Sequence, residues 1–270
     1  SGLAVTSLGH SHPDVADADP ARAERRAVRS EWRAMTTLFP HRESSAQVSA
    51  AVIVFPGSNG DHDLLQALTL CGFSARFLDA EQEIPIDVSL VGLPGGFSYG
   101  DYWRAGVLAS RSRAVRSLAA FLQRGGLVIG ICNGFQILVE SGHLPGALTY
   151  NHPPRFVHRW VKLRVTEESA RSPWFSSLPS GTELRFPIAH AEGSYRYADS
   201  SSGIRPAIPL LYEDNPNGSM SDAAAVLDDS GRILGIMPHP ERACDLMLGS
   251  QDGLRLFQAA QRYLVRRPIQ

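Results

Sequence analysis

Residues 125–138 read GGLVIGICNGFQIL, and this stretch carries the strongest fold signal in the chain. Its apolar run, Leu127–Ile131, is typical of a strand that is buried on both faces, as strands of a parallel sheet are. The apolar residues that follow Gly134 recur with helical spacing until Ser141. The pattern therefore predicts a strand, a sharp turn at Cys132 and a helix.

Cys132 is flanked two residues on either side by Gly130 and Gly134. This is the spacing of a nucleophile elbow, in which glycines permit a sharp backbone turn and leave the nucleophile exposed. A cysteine at a helix N-terminus faces unpaired amide groups, which favour the thiolate form. The pattern predicts a thiolate that attacks a carbonyl carbon. The alternative is a small buried hydrophobic residue, the commonest environment of a free cysteine.

The composition is that of an ordinary globular protein, with 270 residues, 43% hydrophobic residues and a formal charge of −1. This charge gives no bulk attraction to nucleic acid. Three widely spaced cysteines fit neither a disulfide framework nor a zinc motif and favour a reducing cytoplasm. No apolar run approaches the ~20 residues of a membrane span, and we expect no signal peptide.

Asp61, His62 and Asp63 are consecutive at a predicted helix start and face different ways, so no metal site is predicted.

Residues 1–46 differ from the rest of the chain. Residues 1–20 are rich in small, polar and turn-forming residues, whereas residues 21–38 combine alanine and arginine with an apolar face. We expect an N-terminal extension at 1–46 that is partly helical or disordered and docks on its own domain or on a partner. Residues 47–270 are predicted to form the main domain.

Strand and helix patterns alternate from residue 47 to about residue 150. The predicted strands are 51–55, 73–78, 88–93 and 127–131. Helices are predicted between them at 64–70 and 112–123. Repeated strand–helix–strand units predict an α/β fold with an open, mostly parallel, doubly wound sheet and flanking helices.

Shorter alternating strands follow Gly146, and turn clusters separate them, which predicts antiparallel hairpins beside the parallel sheet. These strands are predicted at 157–165, 184–189, 209–212, 223–227 and 233–237. A final amphipathic helix is predicted at 252–265.

Binding sites of such sheets lie at the carboxyl ends of the strands. The predicted strand 88–93 runs into a glycine-rich loop, in which the amides of Gly95, Gly96 and Phe97 could approach a ligand closely. Two amides aimed at a developing negative oxygen form an oxyanion hole, which thiolate attack on an amide requires. The alternative is a plain connecting turn.

Cys132 needs a base, and His239 is the best placed of the nine histidines. It follows the predicted strand 233–237, and prolines on both sides fix its backbone. In an extended segment, residues two apart point to the same side, so Glu241 can orient the imidazole. A triad of Cys132, His239 and Glu241 follows. His190 and Glu192 have the same spacing and are the competing pair for the base role.

These motifs resemble those of the class I, triad-type glutamine amidotransferases. The resemblance rests on GICNGFQ at 130–136 and PHPE at 238–241. Further segments are similar to those of the glutaminase subunits of phosphoribosylformylglycinamidine synthases, which act in purine biosynthesis. Those segments are FPGSN at 55–59, GGFSYGDY at 95–102, NPNGS at 215–219 and MPHPER at 237–242. The likeness spans about residues 50–265, and residues 1–46 have no counterpart in the compact family form.

The resemblance implies a flavodoxin-like sheet and a glutaminase reaction. Cys132 would attack the side-chain amide of glutamine and give a thioester and ammonia, and water would then release glutamate. His239 would be the general acid and base, and Glu241 its orienting partner. The substrate-binding residues implied by the family pattern are Gly95, Gly96, Phe97, Asn133, Gln136, His190 and Glu192.

The resemblance also implies partners for the chain. Ammonia would pass to a large synthetase subunit that converts formylglycinamide ribonucleotide to formylglycinamidine ribonucleotide, with a small third subunit in many such systems. ATP and magnesium are expected on the synthetase, and no cofactor is expected on this chain. Three alternatives remain: a paralogue that serves another acceptor, a free γ-glutamyl hydrolase, and a catalytically silent structural or regulatory subunit. The complete triad argues against the last.

Overall fold

The structure is a computed structural model that describes residues 48–198 and 205–267, and the elements and contacts given below belong to that part of the chain. The N-terminal extension predicted at residues 1–46 lies outside the described residues. None of the described helices is both long and apolar enough to cross a membrane.

A nine-stranded mixed sheet forms the centre of the main domain, and two further strands pair separately. The strands are β1 (Ser49–Val54), β2 (Ser74–Asp79), β3 (Leu90–Leu93), β4 (Leu127–Ile131), β5 (Ala147–Thr149), β6 (Val157–Val165), β7 (Glu183–His190), β8 (Ser194–Arg196), β9 (Ala207–Tyr212), β10 (Ala223–Leu227) and β11 (Ile233–Ile236). The sheet order is β2-β1-β3-β4-β11-β10-β9-β6-β7, and β5 pairs with β8. The short β5–β8 pair was not predicted.

The first five strands in this order, from β2 to β11, are mutually parallel. Their order is the 2-1-3-4-5 order of flavodoxin-like sheets. The pairs from β11 through β7 are antiparallel. The α/β class, the open sheet and the antiparallel hairpins after Gly146 are therefore confirmed. However, β11 was predicted among the hairpins, and it also pairs in parallel with β4, with Gly235 beside Gly130.

The helices are α1 (Asp61–Leu70), α2 (Arg113–Arg116), α3 (Leu118–Gln123), α4 (Asn133–Glu140) and α5 (Asp252–Arg266). The sheet is covered on both faces. A Cβ atom on Gly92 of β3 would meet Leu64 of α1, whereas one on the neighbouring Gly130 of β4 would meet Leu138 of α4. The helix predicted at 112–123 is instead two short helices that meet at Ser117, whose hydroxyl accepts a hydrogen bond from the N–H of Ile84.

The two glycines of the elbow allow α4 to pack directly on the sheet. A Cβ atom on Gly130 would lie 2.5 Å from the carbonyl oxygen of Gly134. One on Gly134 would lie well inside van der Waals contact with the carbonyl oxygen of Leu93 on β3. Neither glycine has a positive φ angle, since Cys132 itself takes the strained conformation. The glycines are therefore needed for close packing and not, as expected, for the turn.

Gly134→Ala should destabilise the domain, although alanine favours helix formation. The added methyl group meets backbone atoms of β3 that cannot move independently of the sheet, so we expect a loss of ~2 kcal/mol or more. Gly142→Ala is the matched control, because Gly142 follows the same helix at a φ of 75° with no atom near its Cβ position. It should cost only about 1 kcal/mol of backbone strain. Urea unfolding measures both, and equal losses would contradict the packing explanation.

Candidate active site

Cys132 lies at the carboxyl end of β4 and at the start of α4, as predicted. Its backbone has φ 50° and ψ −104°, a conformation that costs a non-glycine residue about 1–3 kcal/mol. The N–H of Cys132 donates to the carbonyl of Ile236 on β11 at 2.8 Å, and its own carbonyl accepts from Phe135 and Gln136. The Cys132 side chain is buried, with Sγ 3.8 Å from the carbonyl oxygen of Ala189. The neighbouring elements therefore hold a strained nucleophile elbow in place.

His239 and Glu241 form a buried pair beside this elbow. Nδ1 of His239 lies 2.6 Å from Oε1 of Glu241, and the N–H of His239 donates to Pro187 on β7. The segment was expected to be extended, but Pro240–Arg242 form a 3-10 helix. The side chains of His239 and Glu241 nevertheless meet. Nε2 of His239 is buried and has no hydrogen-bond partner among the described residues.

Two opposing effects act on the charge of His239. Burial disfavours the imidazolium, but the negative charge of Glu241, its hydrogen bond to Nδ1 and the nearby Cys132 outweigh burial and raise the pKa of His239 to about 10. The direction of this shift follows from the buried carboxylate on Nδ1. It favours an imidazolium at neutral pH beside the sulfur of Cys132.

His190 is not paired with Glu192. Its Nδ1 lies 3.1 Å from Oδ1 of Asn151, and the same oxygen accepts the N–H of Gly193 at 2.9 Å. Burial and then the charge of His239 lower the pKa of His190 to about 4. Because His190 is held neutral and has no carboxylate partner, the geometry favours His239 as the base.

The glycine-rich loop after β3 lies against His239 and Cys132. A Cβ atom on Gly95 would be 2.8 Å from Cε1 of His239 and 3.6 Å from Cβ of Cys132. The carbonyl of Gly95 accepts the N–H groups of Asn59 and Gly60 at 3.3 and 3.0 Å, so the loop after β1 fixes the loop after β3. A side chain at position 95 would therefore collide with His239.

The three amides of this loop are not equivalent. The N–H of Phe97 donates to the carbonyl of Gly57 at 3.0 Å and is therefore not free for a substrate. The N–H groups of Gly95, Gly96 and Asn133, which begins α4, have no hydrogen-bond partner within the described residues. These three are the available oxyanion donors among the predicted residues, and of them Gly96 lines the cavity.

Asn133 and Gln136 link the loops around the site. The Asn133 side chain accepts from the N–H of Ser98 at 3.0 Å and donates to Oε1 of Gln136 at 2.9 Å. Nε2 of Gln136 donates to the carbonyl of Glu192 at 2.7 Å. These two side chains therefore join α4 to the glycine-rich loop and to the loop after β7.

A cavity of about 220 Å³ opens at Cys132. The predicted site residues that line it are Gly96, Phe97, Cys132, Gln136, His190, Glu192 and His239. Gly95, Asn133 and Glu241 support these residues without lining the cavity. Within residues 48–198 and 205–267, no cluster of histidine, cysteine and acidic side chains is suited to hold a metal ion.

Seven lining residues were not predicted as site residues: three alanines (Ala105, Ala189 and Ala191) and Asn59, Asp101, Phe156 and Arg242. Of these, Asn59, Asp101 and Arg242 lie in sequence segments on which the family resemblance rests, directly after a strand end, so their position was an available signal. Phe156 gave no such signal.

The segment NPNGS at 215–219 positions the wall of the cavity from behind. Nδ2 of Asn217 and the hydroxyl of Ser219 both donate to the carbonyl of Gly193, at 2.8 and 3.3 Å. Nδ2 of Asn151 donates to the carbonyl of His190 at 2.9 Å. Side chains that do not line the cavity thus determine the course of the loop that does.

Residues 47–264 match the family model of the CobB/CobQ-like glutamine amidotransferase domain. The chain is similar to phosphoribosylformylglycinamidine synthase subunit PurQ of Cereibacter sphaeroides, at 46% identity over 217 residues, which are 78% of this chain and 96% of that protein. The subunit PurQ of Thermotoga maritima is 42% identical over 217 residues, 80% of this chain and 98% of that one.

Solved structures show the same likeness. A chain in the structure of PurLQS from Thermotoga maritima matches with a TM-score of 0.75 and 41% identity, over 81% of this chain and 99% of that chain. A glutamine amidotransferase from Thermotoga maritima matches with a TM-score of 0.50 and 17% identity, over 84% of this chain and 87% of that chain. This second likeness concerns the fold alone.

The lowered pKa of His190 predicts a specific loss of stability in acid. Its imidazole is held neutral in the folded chain down to about pH 4, whereas the unperturbed value is 6.5. The stabilisation is present above pH 6.5 and is lost as the pH falls to about 4, an effect of about 3 kcal/mol. His190→Gln removes this titration, so its unfolding free energy should fall less steeply than that of the wild type between these pH values.

Urea unfolding at a series of pH values measures this difference in slope. His158→Gln is the control, because His158 is exposed on β6. It should follow the wild-type curve. Parallel curves for wild type and His190→Gln would show that His190 is not held neutral.

Proposed function

Because this chain belongs to the CobB/CobQ-like glutamine amidotransferase family, we propose that it is the glutaminase subunit of a phosphoribosylformylglycinamidine synthase. It would hydrolyse glutamine to glutamate and ammonia. The similarity to PurQ subunits over nearly their full length supports this assignment. The observation that carries the chemistry is the buried His239–Glu241 pair beside the strained elbow of Cys132.

In the first step, Sγ of Cys132 attacks the γ-carboxamide carbon of glutamine. The raised pKa of His239 supports an imidazolium beside the thiolate before the substrate arrives. The strained backbone holds Sγ at the cavity, so little ordering is left for the reaction itself. Glu241 fixes the imidazole through Nδ1 and leaves Nε2 for the reacting atoms.

The carbonyl oxygen becomes negative in the tetrahedral intermediate. We assign its stabilisation to the N–H groups of Gly96 and Asn133, since both lack a backbone partner and both belong to segments next to Cys132. Donors that are already oriented stabilise developing charge without reorganisation.

The intermediate breaks down when Nε2 of His239 gives its proton to the amide nitrogen. The C–N bond breaks, ammonia leaves and a γ-glutamyl thioester remains on Cys132. His239, now neutral, takes a proton from water as the water oxygen bonds to the thioester carbon. The C–S bond then breaks, which releases glutamate and restores the thiolate and imidazolium.

Ammonia would serve a large synthetase subunit that converts formylglycinamide ribonucleotide to formylglycinamidine ribonucleotide. A chain similar to this one occurs in the structure of PurLQS, and this supports a complex with a synthetase and a small third subunit. ATP and magnesium would act on the synthetase. A cytoplasmic location fits the three free and buried cysteines, Cys71, Cys132 and Cys244.

Cys132→Ala should abolish glutaminase activity. Loss of the nucleophile should lower glutamate release by roughly 10³-fold or more, measured with the synthetase, its nucleotide and its substrate present. Cys71→Ala is the control, because Cys71 is also buried and free but does not line the cavity. Undiminished release by Cys132→Ala would refute the nucleophile. Strong activity that is indifferent to the synthetase would favour a free hydrolase.

Glu241→Gln should slow the reaction and change its pH profile. Removal of the carboxylate charge lowers the pKa of His239 from about 10, so the imidazolium is lost at a lower pH. The alkaline limb of kcat/KM should therefore move toward neutral pH, and we expect the maximal rate to fall roughly 10- to 10³-fold. An alkaline limb at its wild-type position would mean that Glu241 does not control the charge of His239.

A further inference from the structure

Two carboxylate side chains, Asp101 and Glu192, line the same cavity as Cys132. Asp101 ends the glycine-rich loop and Glu192 lies in the loop after β7. Oδ1 of Asp101 lies 3.3 Å from Nδ2 of Asn133, and the carbonyl of Glu192 accepts from Gln136 at 2.7 Å. Because Asn133 and Gln136 are hydrogen-bonded to each other, both acidic residues are held by the same pair of side chains on α4.

No cation in the described part of the chain compensates these two charges. Neither carboxylate has an ion pair there, and Arg242, which also lines the cavity, instead lies 3.2 Å from Asp63 of α1. Burial, followed by the charge of Glu192, raises the pKa of Asp101 to about 6. A half-buried carboxylate whose pKa is raised by burial and by a second carboxylate, without a counter-ion, is typical of ligand sites.

A third acceptor in the cavity also lacks a partner. Nε2 of His190 is buried, and the residue is 4% exposed. Asn151 uses its Nδ2 on the carbonyls of His190 and Arg155, so its Oδ1 must be the atom that faces Nδ1 of His190. Nδ1 therefore carries the hydrogen, and Nε2 keeps a lone pair that has no donor among the described residues, on a residue that lines the cavity. Because His190 is neutral, it adds no positive charge beside the two carboxylates.

An occupant of this part of the cavity should be positively charged and rich in N–H donors. The α-ammonium group of a free amino acid has one positive charge and three N–H donors, whereas an acylated α-nitrogen has no charge and a single N–H donor. Glutamine fits this requirement at one end while its γ-carboxamide reaches Cys132.

We propose that Asp101 and Glu192 bind the α-ammonium group of glutamine and restrict the site to the free amino acid. This inference rests on the proposed glutaminase function and extends it to the choice of substrate. Asp101 is then a specificity-determining residue, although it lies on the loop and not on a catalytic element. The positive φ of 51° at Asp101 turns its backbone within the loop, and asparagine adopts this conformation as readily as aspartate.

The test compares glutamine with 4-carbamoylbutanoate, which is glutamine without its α-amino group. Ammonia release is measured with the full chain and its synthetase for wild type, Asp101→Asn and Glu192→Gln. Asp101→Asn keeps the shape and an acceptor for Asn133 but loses the charge. We expect it to raise KM for glutamine roughly 10- to 100-fold, with kcat and the constants for the analogue changed less than about threefold. Glu192→Gln should act in the same direction.

Asp214→Asn is the matched control, since Asp214 is an exposed carboxylate paired with Arg159 away from the cavity. It should leave the preference for glutamine unchanged. Equal losses on glutamine and on the analogue would indicate a structural role for Asp101 and overturn the inference, as would an unchanged KM for glutamine.

A direct titration separates this inference from the proposed function. Glutamine is titrated into Cys132→Ala with and without Asp101→Asn, and only the double variant should bind roughly 10- to 100-fold more weakly. If wild type released no ammonia from glutamine, the proposed function would fail. Equal binding by the single and double variants would refute the α-ammonium site alone.

Discussion

The strained backbone of Cys132 is the constraint on which the rest of the site depends. A non-glycine residue at φ 50° persists only where the surrounding structure holds it. Here its N–H is fixed by Ile236 on β11, and its carbonyl starts α4. Helix α4 can start at Cys132 and pack this closely on the sheet only because Gly130 and Gly134 have no side chains that would collide with the backbone. The close packing of α4 on the sheet therefore also determines that Cys132 lines the cavity.

Parallel pairing brings the other groups to this elbow. The carboxyl ends of β1, β3, β4 and β11 lie at one edge of the sheet, so the loops that follow these strands meet there. The pairing of β11 with β4 is decisive, because it places His239 next to Cys132. The antiparallel half of the sheet then adds the loop after β7, which the side chains of Asn151 and Asn217 hold over the cavity. The site is therefore assembled from both halves of a mixed sheet.

The sequence could predict what depends on local pattern. Strands β4, β6 and β10 have the predicted bounds, since apolar runs and turn residues define them directly. The pairing of His239 with Glu241 was also predictable, although the segment is a 3-10 helix and not extended. The parallel pairing of β11 with β4 was not predictable, because an apolar run is compatible with both parallel and antiparallel pairing. Asp101 was not predicted as a site residue although it lies in the segment GGFSYGDY at 95–102, and only the folded chain shows that it shares a cavity with Glu192.

Two histidines in one cavity show how the type of partner determines chemistry. His239 faces a buried carboxylate, which raises its pKa, whereas His190 faces the amide oxygen of Asn151, which brings no charge to oppose burial, so its pKa falls. The positive charge of His239 further lowers the pKa of His190, which leaves one imidazolium in the cavity and one neutral acceptor. The equal spacing of His190-Ala191-Glu192 and His239-Pro240-Glu241 is therefore no guide to function. What separates them is whether the carboxylate two residues on reaches its histidine, and only Glu241 does.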